Sequence, residues 1–343
     1  MPYLIQFISL LLATVLLTGG IRLGALRAGM LDHPVARSAH VKATPIGGGV
    51  AIATVFLIST CVSYWAGRIP YAEFMALMGA ALIAVVGLVD DLRPLDIRWR
   101  VPAQFLAAIW VLAWLGEIPA VRLPGIDIGG PILSVLAGLA LVWLVNLYNF
   151  MDGIDGLAGS ELVFVNGLSF LLVINSGDQV VAISSLSLLA TGLGFLVWNW
   201  PPAKIFMGDA GSGFVGFVLG VMAILSMQHG SLSLWTWILL MGVFVVDATV
   251  TLLRRVIGHQ KWYEGHASHA YQHAARRYKS HGKVTITVIA INCLWLAPLA
   301  WLSKSYPQQG IYCALLGIMP LILLAFWQGA GKPPGIEARA DQP

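Results

Sequence analysis

Apolar runs of about 20 residues recur from one end of the chain to the other, each long enough to cross about 30 Å of hydrocarbon as a helix. Eleven are read, at about 3–21, 46–66, 71–89, 101–120, 130–149, 158–176, 179–199, 212–228, 233–252, 284–303 and 308–328. Backbone polar groups in lipid must be satisfied inside helices or closed barrels. The expected fold is therefore all-α: a polytopic membrane helical bundle with about 11 transmembrane helices. Only 10% of the 343 residues are charged, against about 25% in a soluble domain. The first run has no basic stretch ahead of it and no small-residue cleavage site after it, so a retained helix is expected. Without repeats or long linkers, residues 1–330 read as one transmembrane domain and 331–343 as a short polar tail. Cys61, Cys293 and Cys313 lack metal-ligand spacing and are expected to be buried free thiols.

Alternating the loops across the membrane segregates the basic residues. Of the 20 Lys and Arg, 17 fall on one side, and only Arg68, Arg122 and Lys304 on the other. The positive-inside rule makes the rich side cytoplasmic, the N-terminus periplasmic and the C-terminus cytoplasmic. This asymmetry accounts for the pI of about 9.0 without any nucleic acid. Seven of the eight histidines, all but His229, share the basic side with every carboxylate cluster. Ionisable groups gathered at one water interface suit a site open to cytoplasmic substrate. A transporter of nucleotide sugar or lipid-linked sugar is the alternative, but it would more often place such groups at mid-membrane.

Four motifs on that side carry the chemistry, each with a plainer reading beside it. Asp32-His33-Pro34 leads through Arg37, His40 and Lys42 to Gly47-Gly48-Gly49; glycine amides at a helix start can cradle an anion, or simply loosen a loop. Asp90-Asp91 closes an apolar run ahead of Arg93, Arg98 and Arg100; the pair awaits a cation or is a solvated helix end. Asn146, Asn149, Asp152 and Asp155 recur every three residues, giving a polar stripe on a helix. Asn199, Lys204 and Asp209 surround a Pro-Pro turn, and Asp209 between Gly208 and Gly211 suits either a hard-cation ligand or a helix cap. Asp247, near Arg254 and Arg255, reads as a buried ion pair. His266, His269 and His273 would share a face if their loop is helical, with Arg276, Arg277 and Lys279 after them.

Taken in order over about residues 30–285, Asp90-Asp91, Asn146–Gly156 and Phe206–Ser212 resemble the motifs of the polyprenyl-phosphate N-acetylhexosamine-1-phosphate transferases. The resemblance implies a Mg²⁺-dependent enzyme, with Mn²⁺ as a substitute, and a cytoplasmic site in the bacterial inner membrane. It implies metal ligation by Asp209, with Asp152 beside it. It places Asp152, Asp155 and Asn199 in the nucleotide-sugar cleft and assigns the lipid phosphate to Asp90 and Asp91. Asp90, Asp91, Asp152, Asp155 and His273 are thus the catalytic candidates. Lys42, Arg98, Asn146, Asn149, Asn199, Lys204 and His269 are the substrate-binding ones. The expected partners are a UDP-N-acetylhexosamine, undecaprenyl phosphate and the bilayer, with a homodimer left open. Relatives carry a tight histidine cluster where this chain has Ser268-His269-Ala270-Tyr271-Gln272-His273. That departure favours an O-antigen-type initiator using GlcNAc, FucNAc or QuiNAc over the peptidoglycan enzyme. A phosphate monoester is largely dianionic at pH 7, so positioning and metal outweigh proton abstraction in the expected chemistry.

Overall fold

A computed structural model describes residues 2–34, 43–123, 125–261 and 266–333. It is built from α1 (Pro2–Ala28), β1 (Leu31–Asp32), β2 (Thr44–Pro45), α2 (Gly49–Trp65), α3 (Tyr71–Met78), α4 (Ala80–Leu92) and α5 (Ile97–Leu115). These are followed by β3 (Val121–Leu123), β4 (Ile126–Ile128), α6 (Gly130–Met151), α7 (Leu157–Val173), α8 (Gln179–Asn199) and α9 (Asp209–Gln228). The chain continues through α10 (Leu234–Leu240), α11 (Gly242–Ile257), α12 (Ala270–Tyr278), α13 (His281–Ile291), α14 (Ala297–Ser305) and α15 (Gly310–Gln328). The strands form two small antiparallel pairs, β1 with β2 and β3 with β4.

Among the described residues, seven helical stretches are long and apolar enough to cross a membrane, or eight if α10 and α11, bent by 84°, count as one span. The protein is thus an all-α, multi-pass membrane protein. Eleven crossings were expected, and the difference lies in three helices. α2 and α7 have 17 residues each. At 1.5 Å per residue that is about 26 Å, short of the hydrocarbon thickness. α5 enters through Arg98 and Arg100 and carries Pro102.

α9 is the hub: 89% of its apolar window is buried, against 11% for α1 at the periphery. Glycines let its neighbours approach. A Cβ on Gly216 would stand 2.2 Å from the Leu144 carbonyl oxygen of α6. Large apolar side chains such as Leu16, Leu171 and Leu323 face outward, as lipid requires. For the same reason the cysteines are not sealed in a core as expected: Cys293 is exposed, and Cys61 and Cys313 are partly so.

The glycine run at 47–49 does not cradle an anion with all its amides. The Gly48 and Gly49 N–H groups donate to the Phe206 and Met207 carbonyls, at 2.9 and 2.8 Å, and Phe206 N–H donates to Pro45 at 2.8 Å. This stitch fixes the irregular segment before α9 against the start of α2. Beyond the other end of α9, His229 bonds Asp178 at 2.9 Å and Glu73 at 3.2 Å. That polar knot closes the bundle about 30 Å, the length of α9, from Asp209.

Candidate active site

Helix N-termini leave four backbone N–H groups without intrahelical partners. At α9 the first of them are met by a side chain from α4: Asp91 accepts from the Asp209 and Ala210 N–H groups at 2.8 and 3.1 Å. Gly208 makes room for this contact, since its φ is +79° and a Cβ there would lie 2.6 Å from Asp91 Oδ2. The adjacent Asp90 accepts from Leu95 N–H at 2.6 Å and pairs with Arg100 of α5 at 2.6 Å. The other guanidinium nitrogen reaches Asp209 at 3.2 Å. Arg100 therefore ties Asp90 to Asp209.

The polar stripe expected along α6 stops at Asn149, because the helix ends at Met151 and Asp152 is its C-cap. Asn149 accepts from the Ser212 hydroxyl at 3.2 Å, and Asn146 donates to Gln104 at 2.8 Å. Past the helix end, the turn through Gly153 and Gly156 presents Asp152 and Asp155. A Cβ on Gly153 would lie 2.1 Å from the Tyr271 hydroxyl, so a side chain there would push Tyr271 of α12 off the turn, where it donates to the Phe150 carbonyl at 2.9 Å. Asn199 accepts from Gly156 N–H at 3.0 Å and donates to the Ile205 carbonyl at 3.0 Å, which locks the turn to the segment before α9.

The result is a cavity of about 260 Å³ whose lining includes Asn149, Asp152, Asp155, Asn199 and Asp209. Asp32, His266, Gln272 and His281 also line it. A narrow cleft beside it is lined by Arg100, Gln104, Asn146 and, again, Asn149 and Asp209. Burial holds the Asp152 carboxyl well above the usual carboxylate range, and Asp209 and Asp91 push it in the same direction. A cation would relieve that repulsion. No group of three or more His, Cys, Asp or Glu among the described residues is arranged as a complete metal cage. One or two carboxylates facing an open cavity suit Mg²⁺, which takes its remaining ligands from water and substrate phosphates.

The sequence comparisons bear on the same residues. A family model described as glycosyl transferase family 4 matches residues 73–227, which hold every carboxylate of the cavity except Asp32. The decaprenyl-phosphate N-acetylglucosaminephosphotransferase of Mycobacterium tuberculosis is 30% identical over 323 residues, covering 84% of this chain and 78% of that protein. The chain belongs to the polyprenyl-phosphate N-acetylhexosamine-1-phosphate transferases. It is accordingly a sugar-phosphate transferase. A probable undecaprenyl-phosphate N-acetylglucosaminyl 1-phosphate transferase of Bacillus subtilis is 29% identical over 300 residues, covering 85% and 82% of the two chains. A phospho-N-acetylmuramoyl-pentapeptide-transferase of Moorella thermoacetica is 32% identical over 237 residues, covering 64% and 72%.

Several expected residues of this transferase lie away from the cavity. Lys42 falls outside the described residues. Arg98 is exposed and pairs with Asp96 at 2.7 Å. Lys204 lies over the Trp198 ring at 5.6 Å. His269 is buried and faces Asp247 at 3.3 Å, while His273 meets the Lys332 carbonyl at 3.1 Å. The three histidines do not share a helical face, because α12 begins only at Ala270. Burial, with the charges of His269 and Arg255, pushes the His266 pKa down to about 3, and burial and Arg276 lower that of His273. Both rings are therefore neutral at pH 7 and offer no fixed cation to a phosphate. Asp247 does not pair with Arg254 or Arg255; it accepts from the Ala270 and Tyr271 N–H groups at 2.8 and 2.9 Å and caps α12. Arg100, His266, Gln272 and His281 were not among the expected site residues. Arg100 was visible as a basic residue following Asp90-Asp91, but spacing alone did not separate it from Arg98.

Asp91 and Asp90 do not line the cavity, and Asp91 gives both oxygens to α9. Asp91→Ala is expected to cost about 1–2 kcal/mol of stability through the lost cap. Activity should fall with it, because Asp209 is the residue being capped. Thermal unfolding in detergent alongside initial rates checks this. An inactive variant with unchanged thermal stability would assign Asp91 to the acceptor phosphate instead.

Proposed function

We propose that the protein transfers N-acetylhexosamine-1-phosphate from a UDP-sugar of the GlcNAc, FucNAc or QuiNAc type to undecaprenyl phosphate. It would release UMP and initiate O-antigen or a related envelope glycan. The observation that carries this reading is the convergence of Asp152, Asp155, Asp209 and Asn149 on one cavity at the end of the buried hub helix. An acceptor phosphate oxygen attacks the sugar-linked phosphorus; a new phosphoanhydride P–O bond forms as the P–O bond to UMP breaks. No protein nucleophile is needed for a dianionic acceptor. Asp152 and Asp209 would hold Mg²⁺, which would neutralise charge on the donor pyrophosphate and on departing UMP. Asn149 and Asp155 would orient the donor, and Arg100, in the adjoining cleft, would offer charge to a phosphate oxygen.

On the far side of α12 lies an apolar groove of about 570 Å³ between α11, α13 and α15, with Lys283 among its lining residues. It has the character needed by isoprenoid units of the acceptor. The family resemblance supports a cytoplasmic site in a bacterial inner membrane; the 17-to-3 basic split, with the N-terminus periplasmic and the C-terminus cytoplasmic, presupposes the eleven crossings read from the sequence. Membranes given undecaprenyl phosphate and each radiolabelled UDP-sugar in turn should form a lipid-extractable pyrophosphate and UMP with one of them. EDTA should stop the reaction, and Mg²⁺ or Mn²⁺ should restore it. Sugar appearing across the membrane without UMP release would replace the transferase reaction with transport.

A further inference from the structure

The first turn of α13 grips the Asp155 turn from outside the motifs that hold the carboxylates. Ser280 caps this helix through Lys283 N–H at 3.3 Å, which places His281 at its first position. One turn on, Thr285 donates its hydroxyl to the Asp155 carbonyl at 3.0 Å. His281 Nδ1 lies 3.4 Å from the Asp155 backbone nitrogen and 3.2 Å from its Oδ1. In one tautomer Nδ1 accepts from the amide; in the other it donates to the carboxylate. Both arrangements pin the residue. The second oxygen, Oδ2, accepts from Ala203 N–H at 3.1 Å. Gly156 keeps the turn narrow: its φ is +75°, and a Cβ would meet Pro201 at 2.9 Å.

We infer that His281 is a positioning residue: through Nδ1 it sets the direction of the Asp155 carboxylate in the cavity and thereby the affinity for the UDP-sugar. The inference rests on the transferase reading above. Asp155 shares its cavity with Asp152 and Asp209. A carboxylate there repels the donor's phosphates and attracts its neutral hydrogen-bond donors, which belong to the base, ribose or hexosamine. A carboxylate free to swing would lose that discrimination. His281 is 19% exposed and Asp155 15%, so the contact is shielded but borders the cavity.

Equilibrium binding of radiolabelled UDP-GlcNAc, UDP-FucNAc and UDP-QuiNAc to purified full-length protein with Mg²⁺ tests this, together with steady-state KM and kcat. His281→Ala should weaken donor binding and raise its KM about tenfold, as expected for losing a hydrogen bond to a charged group, with kcat changed far less. Asparagine places its amide nitrogen near the position of Nδ1, and glutamine places it near Nε2. His281→Asn should therefore recover most of the affinity, while His281→Gln should not. Unchanged donor affinity in His281→Ala overturns the inference, as does equal loss in the Asn and Gln variants or loss of kcat together with thermal stability. Wild-type protein that binds none of the three UDP-sugars would instead remove the transferase reading beneath it.

Discussion

Asp209→Asn is expected to lower transfer by more than about 100-fold while the protein still inserts and folds. Changes one shell out from a metal commonly cost 10- to 100-fold, and Asp209 is the proposed ligand itself. The structure explains why the fold should survive. The Asp209 backbone N–H still bonds Asp91 at 2.8 Å, and asparagine is nearly isosteric with aspartate. What disappears is a full charge that faces both the cavity and Arg100. Rates across a Mg²⁺ titration, with Mn²⁺ affinity read by electron paramagnetic resonance, test this. Near-normal rates at limiting metal would move Asp209 out of the metal's coordination sphere.

Gly87→Ala should be nearly as damaging without touching any ionisable group. A Cβ at Gly87 of α4 would lie 2.4 Å from the Asp209 carbonyl oxygen and 2.6 Å from Ala210 N. Those are backbone atoms, so no rotamer change relieves the clash. Ordinary contact starts at 3.4 Å, so α4 and α9 must separate by about 1 Å. Overpacking of this kind costs about 1–3 kcal/mol. The same shift draws Asp91 away from the two amides it caps. A clear drop in thermal stability and loss of most activity are expected. Gly20→Ala is the matched control, since a Cβ there meets nothing within 4 Å. Equal behaviour of the two variants would show that the α4–α9 seam tolerates slack.

Much of this was legible in the chain itself. The apolar runs announced the bundle, and of the four polar residues spaced by three, Asn149, Asp152 and Asp155 line the cavity, although Asp152 and Asp155 reach it from a turn and not from a helix face as expected. The histidines were harder. Their spacing gave no hint that His269 belongs to Asp247 while His266 lines the cavity. The caps made by Asp91 and Asp247 were not foreseen, because a cap supplied by another helix leaves no local signature. His281 was invisible for a related reason: its partner lies 126 residues away. Close-approach glycines such as Gly87 share that limit, because what they avoid is known only once the helices are packed.

The stitch between Pro45–Gly49 and Phe206–Met207 uses main-chain groups alone. It depends on glycine, because a Cβ on Gly49 would lie 2.2 Å from Gly211 Cα. Asp209 rests on that stitch and on the capped start of α9, whereas His266, Gln272 and His281 reach the cavity from the segment before α12, from α12 and from α13. The two groups come from separate segments of one chain and are joined where His281 meets Asp155. Asp209 is held by Asp91 and Arg100, not by His266 or Gln272, so altering those two should change the preferred sugar donor with the phosphoryl chemistry left intact, which makes them the place to begin when retuning this transferase for a different glycan.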